Sequence, residues 1–108
     1  MDAGSLDRVF AALGDPGRRE LVREISARGT ATATELAAEL PVTRQAVAKQ
    51  LAALAEAGLV SGARRGRETR YAVTPAPLGE AMAWMVEVGA RWDARLDALR
   101  EHLLRPRS

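Results

Sequence analysis

Apolar and polar residues follow three rhythms along this chain, helical, alternating and heptad, and the changes of rhythm mark its elements. Leu6, Val9, Phe10 and Leu13 stand at i, i+3, i+4 and i+7, which predicts a first amphipathic helix with Ser5 as its cap and Gly14 at its end. Asp15 caps a second helix. Pro16 takes its first position, where a missing N–H costs nothing, Leu21, Val22 and Ile25 supply its buried side, and Gly29 closes it. Residues 30–32 read as a short extended link. Thr32 and Glu35 then stand at capping-box spacing for a third helix, which points Leu36 and Leu40 inward and stops at Pro41. After a three-residue turn, Thr43 caps a fourth helix whose stripe is Val47, Leu51 and Leu54 and whose end is Gly58.

Past Gly58 the period becomes extended. Residues 59–64, a turn at Arg65-Gly66, and residues 67–74 with Tyr71 and Val73 on one face predict a two-stranded hairpin with a basic tip. A last helix over 75–104 tolerates Pro75 and Pro77 in its first turn. Along it Leu78, Met82, Met85, Gly89, Trp92, Leu96, Leu99 and Leu103 form an unbroken heptad seam. Such a helix outreaches the core of a small domain, so part of the seam is expected to meet a second copy. Gly89 would let two helices approach closely. The competing reading packs the stripe on the first helix of the same chain.

The third and fourth helices, with their three-residue turn, have helix-turn-helix spacing. Opposite its buried stripe the fourth helix carries Arg44, Gln45, Lys49 and Gln50, residue types that bond base edges and phosphates. A solvated helix face is the bland alternative, and charge decides against it. Residues 1–40 hold five Arg against seven carboxylates, and residues 75–108 hold five against five. The formal net charge of +2 therefore conceals a middle segment, 41–74, in which Arg44, Lys49, Arg64, Arg65, Arg67 and Arg70 face only Glu56 and Glu68. That +4 is where a polyanion would dock. Arg65 and Arg67 beside a glycine turn suit a phosphate backbone or a minor groove. Arg18, Arg19 and Arg23 alternate with Glu20 and Glu24 and read as a solvated face.

With 108 residues, 47% apolar and 28% charged, the chain fits one globular domain with a modest core. An aromatic content of 4% argues against a stacking platform. The absence of Cys removes disulfides, thiolate metal sites and cysteine nucleophiles. No leader pattern or membrane-length apolar run is visible, and a cytoplasmic location is expected. Asp93, Asp97 and Glu101 line up at i, i+4 and i+8 beside His102, the only histidine, as a candidate metal set. Pairing with Arg, as Glu87 with Arg91 or Glu101 with Arg105, is the simpler use of such carboxylates. No triad, phosphate loop or nucleotide fingerprint is present, so no catalytic residue and no cofactor is expected.

The run Ala12-Leu13-Gly14-Asp15-Pro16-Gly17-Arg18-Arg19-Glu20-Leu21, then Thr34-Glu35-Leu36-Ala37, Thr43-Arg44-Gln45-Ala46-Val47-Ala48-Lys49-Gln50-Leu51, Leu54-Ala55-Glu56-Ala57-Gly58-Leu59-Val60, and Gly66-Arg67 before Arg70-Tyr71 resembles the ArsR/SmtB (arsenical-resistance-repressor) family over nearly the whole length. The resemblance implies a mainly α winged helix-turn-helix over 1–108: helix-turn-helix about 33–57, hairpin wing about 59–74, long dimerisation helix about 75–104. It implies a homodimer joined through first and last helices, here through Leu6, Phe10, Met82, Met85, Gly89, Trp92, Leu96 and Leu99. It also implies the fourth helix in the major groove. Metal-sensing members carry Cys near the start of the third helix, or paired His and acidic ligands on the last. This chain has Thr32, Ala33, Thr34 and Glu35 at the first place, and its Trp92-Asp93-Ala94-Arg95-Leu96 stretch resembles the subgroup in which no metal site is recognised.

The resulting expectation is a repressor of double-stranded DNA, acting on a pseudo-palindromic operator and on its own gene, with no membrane contact and an unidentified effector. Thr43, Arg44, Gln45, Lys49, Gln50, Arg65 and Arg67 are its expected DNA contacts. A metal-responsive repressor and a winged-helix protein-interaction module are the alternatives.

Overall fold

The computed structural model describes residues 3–105, and the chain's other five residues lie outside that range. Five helices and one hairpin follow in the order α1 Ala3–Leu13, α2 Pro16–Arg28, α3 Ala33–Glu39, α4 Arg44–Glu56, β1 Val60–Arg65, β2 Glu68–Val73 and α5 Pro75–Leu104. The fold is a mainly α winged helix-turn-helix with a two-stranded antiparallel wing and a long last helix.

Local punctuation sets most boundaries. The Asp15 carboxylate accepts the Arg18 N–H at 2.9 Å and Pro16 opens α2. Thr32 and Glu35 close a reciprocal capping box, each side chain accepting the other residue's backbone N–H. Thr43 Oγ1 accepts the Ala46 N–H at 3.1 Å. At the far end of α4, Gly58 takes φ 80°, which lets the Leu59 N–H reach Leu54 O at 2.9 Å and its own N–H reach Ala55 O at 3.0 Å. That pair of bonds is a Schellman motif. Its positive φ is why a glycine stands there.

Two boundaries differ from the sequence expectation. Helix α1 starts at Ala3, so Ser5 is not its cap; the Ser5 hydroxyl instead accepts from Arg8 Nη2 at 3.3 Å. The apolar stripe marks where burial begins, and nothing in Ala3-Gly4 stops hydrogen bonding from beginning earlier. In the hairpin, Arg65 pairs with Glu68, so the turn is Gly66-Arg67 and not Arg65-Gly66. Gly66 has φ 62° and Arg67 does not have positive φ, the pattern of a type II′ turn. In that turn the positive φ falls on the first central residue, which draws glycine there.

Each element contributes to one core. Val9 of α1, Leu21 and Ile25 of α2, Leu36 of α3, Val47, Leu51 and Leu54 of α4, and Leu59 are at most 2% exposed. Burying such side chains stabilises by roughly 1.5–3 kcal/mol each relative to exposure. Phe10 of α1 meets Trp84 of α5 edge-on, with ring centroids 5.3 Å apart. Only the early turns of α5 share this core, through Leu78 and Ala81. From Gly89 to Leu104 every residue of the last helix is exposed. At 30 residues α5 is about 45 Å long, and the molecule extends 76 × 30 × 20 Å.

Candidate nucleic-acid interface

The orientation of α4 follows from its stripe. At about 100° per residue, Gln45 and Lys49 lie nearly opposite the buried line of Val47, Leu51 and Leu54, whereas Arg44 and Gln50 flank that line on either side. Arg44, Gln45 and Lys49 are exposed, and so is Thr43 at the cap. Gln50 is half-buried. Its Oε1 accepts from Arg18 Nη1 at 3.2 Å and its Nε2 donates to Asp15 Oδ2 at 3.2 Å. The structure thus leaves three of the four polar α4 residues exposed and turns the fourth toward α2. Gln50 and Arg44 stand about equally far from the stripe's centre, and it is the α2-side partners Asp15 and Arg18 that draw Gln50 in.

The wing brings further cations to the same side. A cleft of about 270 Å³ between the helix-turn-helix and the wing is lined by Thr34, Arg44 and Ala48 together with Arg64, Arg67, Glu68, Thr69 and Tyr71. Arg64 was counted in the basic segment but not expected at the site. Its Nε donates to Gly66 O at 3.0 Å, which fixes the stem of the side chain beside the turn. Strand alternation sends the Arg65 side chain to the opposite face of the hairpin from Arg64. Glu68, across from Arg65, has Oε2 3.5 Å from Arg70 Nη1 and tempers the wing's charge.

The wing is anchored at its root. Ala31 and Tyr71 exchange N–H to O bonds at 3.0 and 2.8 Å, and Arg70 reaches back to Glu35 Oε1 at 3.0 Å and to Thr30 Oγ1 at 3.2 Å. The Thr32 N–H bond, with the Arg70 charge beside it, holds the Glu35 carboxyl below its ordinary value of 4.5. A carboxylate whose folded value is depressed stabilises the fold above its unfolded value, and that contribution disappears as pH falls through the folded one. Glu35→Gln keeps a capping-box side chain but cannot titrate. It is expected to flatten the acid limb of thermal stability as pH falls below the ordinary carboxylate value of 4.5. Circular-dichroism melts at stepped pH check this; an unchanged acid limb would show that Glu35 does not carry it.

The residues expected between two copies fall into two groups. Leu6 and Phe10 are partly buried against the core, while Met82, Met85, Trp92, Leu96 and Leu99 are 50–60% exposed and Gly89 is open. On the same helix Glu87 bonds Arg91 at 2.7 Å. Among the described residues no three His, Asp or Glu side chains converge as an ion site within one chain, Asp93, Asp97, Glu101 and His102 included. No helix among them is long and apolar enough to cross a membrane.

A short helix that props a second one, whose polar face stands clear beside a cationic hairpin, defines a winged helix-turn-helix DNA-binding protein. A family described as a helix-turn-helix domain matches residues 13–62. The HTH-type transcriptional regulator YuzN of Bacillus subtilis is 37% identical over 90 residues, 78% of this chain and 98% of its own. An ArsR-like transcriptional regulator from Rhodococcus sp. RHA1 superposes with a TM-score of 0.77 at 40% identity, covering 96% of both chains. CmtR of Mycobacterium tuberculosis, a cadmium sensor, is 37% identical over 89 residues, 82% of this chain and 74% of its own, and its structure superposes with a TM-score of 0.58. The chain belongs to the ArsR family of winged-helix transcriptional regulators.

Proposed function

We propose that the protein is a homodimeric transcriptional repressor that occupies a pseudo-palindromic operator and excludes polymerase from it, with its own promoter as the first candidate target. The observation that carries this reading is the two-sidedness of α4: Val47, Leu51 and Leu54 are sunk in the core while Arg44, Gln45 and Lys49 face solvent. Gln45 and Lys49 read bases in the major groove, and Thr43 and Arg44 hold flanking phosphates. Arg64 and Arg67 close on the backbone from the wing, and Arg65 reaches phosphate from its other face. The unpartnered seam of α5 supports the dimer, which sets two such helices about one turn of duplex apart. The action is binding in the cytoplasm, with no chemical step.

The test is fluorescence anisotropy on the duplex upstream of the protein's own gene against a scrambled duplex at about 0.15 M salt. Tight binding to the first alone supports a sequence-specific autoregulator; binding to neither sinks the DNA reading. In that assay Gln45→Ala is expected to cost about 1–3 kcal/mol on the preferred duplex and little on the scrambled one. Arg67→Ala is expected to weaken both alike and to lower the salt slope by about one. Equal losses on both duplexes for Gln45→Ala would remove it as a base reader.

Likeness to a cadmium sensor raises a metal-responsive version of the same repressor. Cadmium favours soft thiolate donors, and these 108 residues contain no Cys.

A further inference from the structure

Asp15, Arg18 and Gln50 form a joint set back from the exposed face of α4. Arg18 stands in the first turn of α2, yet its guanidinium serves other elements: Nε donates to Ala12 O at 2.7 Å and Nη2 to Ala11 O at 3.3 Å, both at the end of α1. Its Nη1 donates to Gln50 Oε1 at 3.2 Å, in the middle of α4. Gln50 Nε2 then donates to Asp15 Oδ2 at 3.2 Å, the same oxygen that caps α2. One cation thus ties three helices together, and it sits against the carbonyl end of α1, where the helix dipole favours positive charge. Residue 17 fits the same joint. A Cβ on Gly17 would lie 3.0 Å from Asp15 Oδ2 and 3.5 Å from Gln50 Nε2, so a side chain there would crowd the bonds. On its other side α1 carries Phe10, locked edge-on to Trp84 of α5. A continuous path of contacts therefore runs from the long helix through α1 and Arg18 to Gln50.

We propose that this joint fixes the pitch of α4 against the α1–α5 scaffold, so that Arg18 and Gln50 are positioning residues for DNA binding and Gln50 acts without touching a base. The inference rests on the DNA-binding reading, but half of its test does not. In the free full-length protein, Gln50→Leu keeps side-chain bulk and removes both bonds. It is expected to speed amide hydrogen exchange over residues 44–51 by at least about fivefold, the worth of a hydrogen bond, while the rest of the core exchanges as before. Arg18→Lys, which cannot span three acceptors, should do the same and stands in if the leucine variant folds poorly. Asp15→Asn keeps both the cap and the acceptor and should exchange as the unmodified protein does. Unchanged exchange in α4 for both Gln50→Leu and Arg18→Lys overturns the joint.

On duplexes enriched from a random library by the unmodified protein, both variants should lose about five- to tenfold in affinity with the salt slope intact. The loss should fall on every recognised base pair together, and the double variant should be no weaker than the weaker single one, because the two residues share one network. Loss of discrimination at a single base pair for Gln50→Leu, or additive losses, would make Gln50 a base reader and overturn the proposal. Failure to enrich any duplex would sink the DNA reading alone, with the exchange result still deciding the joint.

Discussion

Trp92→Glu is expected to leave the protein monomeric and to cut its operator affinity by about 10²–10⁴, the factor that linking two binding modules supplies. Trp92 is 57% exposed in the single chain, midway along a seam that continues with Leu96 and Leu99. Arg95 lies over its ring at 5.8 Å, so one face of the indole is already occupied and the rest is available to a second copy. In a two-fold dimer each substitution appears twice. Two carboxylates would then enter one apolar contact, losing both the packed ring and the solvation of the charge. Sedimentation gives the readout: a halved mass with retained helical signal is the expected result. A mass unchanged from the unmodified protein would refute the seam.

The second large effect is expected inside the core. Leu51→Ala should cost about 2–5 kcal/mol of unfolding free energy, a large share of the roughly 5–15 kcal/mol that holds a domain together. Leu51 is fully buried between Val47 and Leu54, and with them anchors α4 to the other helices. Its methyls leave a hole that rigid helix backbones cannot close. Urea unfolding at fixed protein concentration measures the loss. A cost below about 1 kcal/mol would mean that neighbouring alanines and leucines collapse into the space and that α4 is less firmly seated than its burial implies.

What could be read from the sequence was whatever is encoded within a few residues. Asp15-Pro16, the Thr32 and Glu35 pair, Thr43, Gly58 and the boundaries of α5 all act over one turn of chain, and the structure has them as expected. The errors have two sources. Ser5 and the Gly66-Arg67 turn were displaced because a stripe or a glycine gives a neighbourhood, and hydrogen-bond register then selects the residue. Gln50 and Arg18 are different in kind. Their bond joins residues 32 apart, and the Gln50 bond to Asp15 joins residues 35 apart. Amphipathic periodicity shows that a polar residue lies near a buried edge, not which distant side chain waits there. The Phe10–Trp84 contact was hidden for the same reason, since Trp84 lies off the heptad seam and is claimed by α1. Arg64 belongs to the same class: it stands before the turn in sequence, and strand pairing places it beside the cleft that α4 shares with the wing.

The open stretch of α5 beyond Gly89 makes the amount of protein a variable of its own folding in the proposed dimer. Cover for that stretch comes only from a counterpart, so the melting midpoint should climb with total concentration, as mass action requires of a folded state that is bimolecular. Occupancy of an operator by paired chains then rises with the square of the free monomer. A freshly diluted or newly synthesised population would hold its target weakly until enough copies accumulate. For a protein acting on its own promoter, this converts a smooth change in expression into a threshold, set by how much oily surface the far end of one helix leaves uncovered.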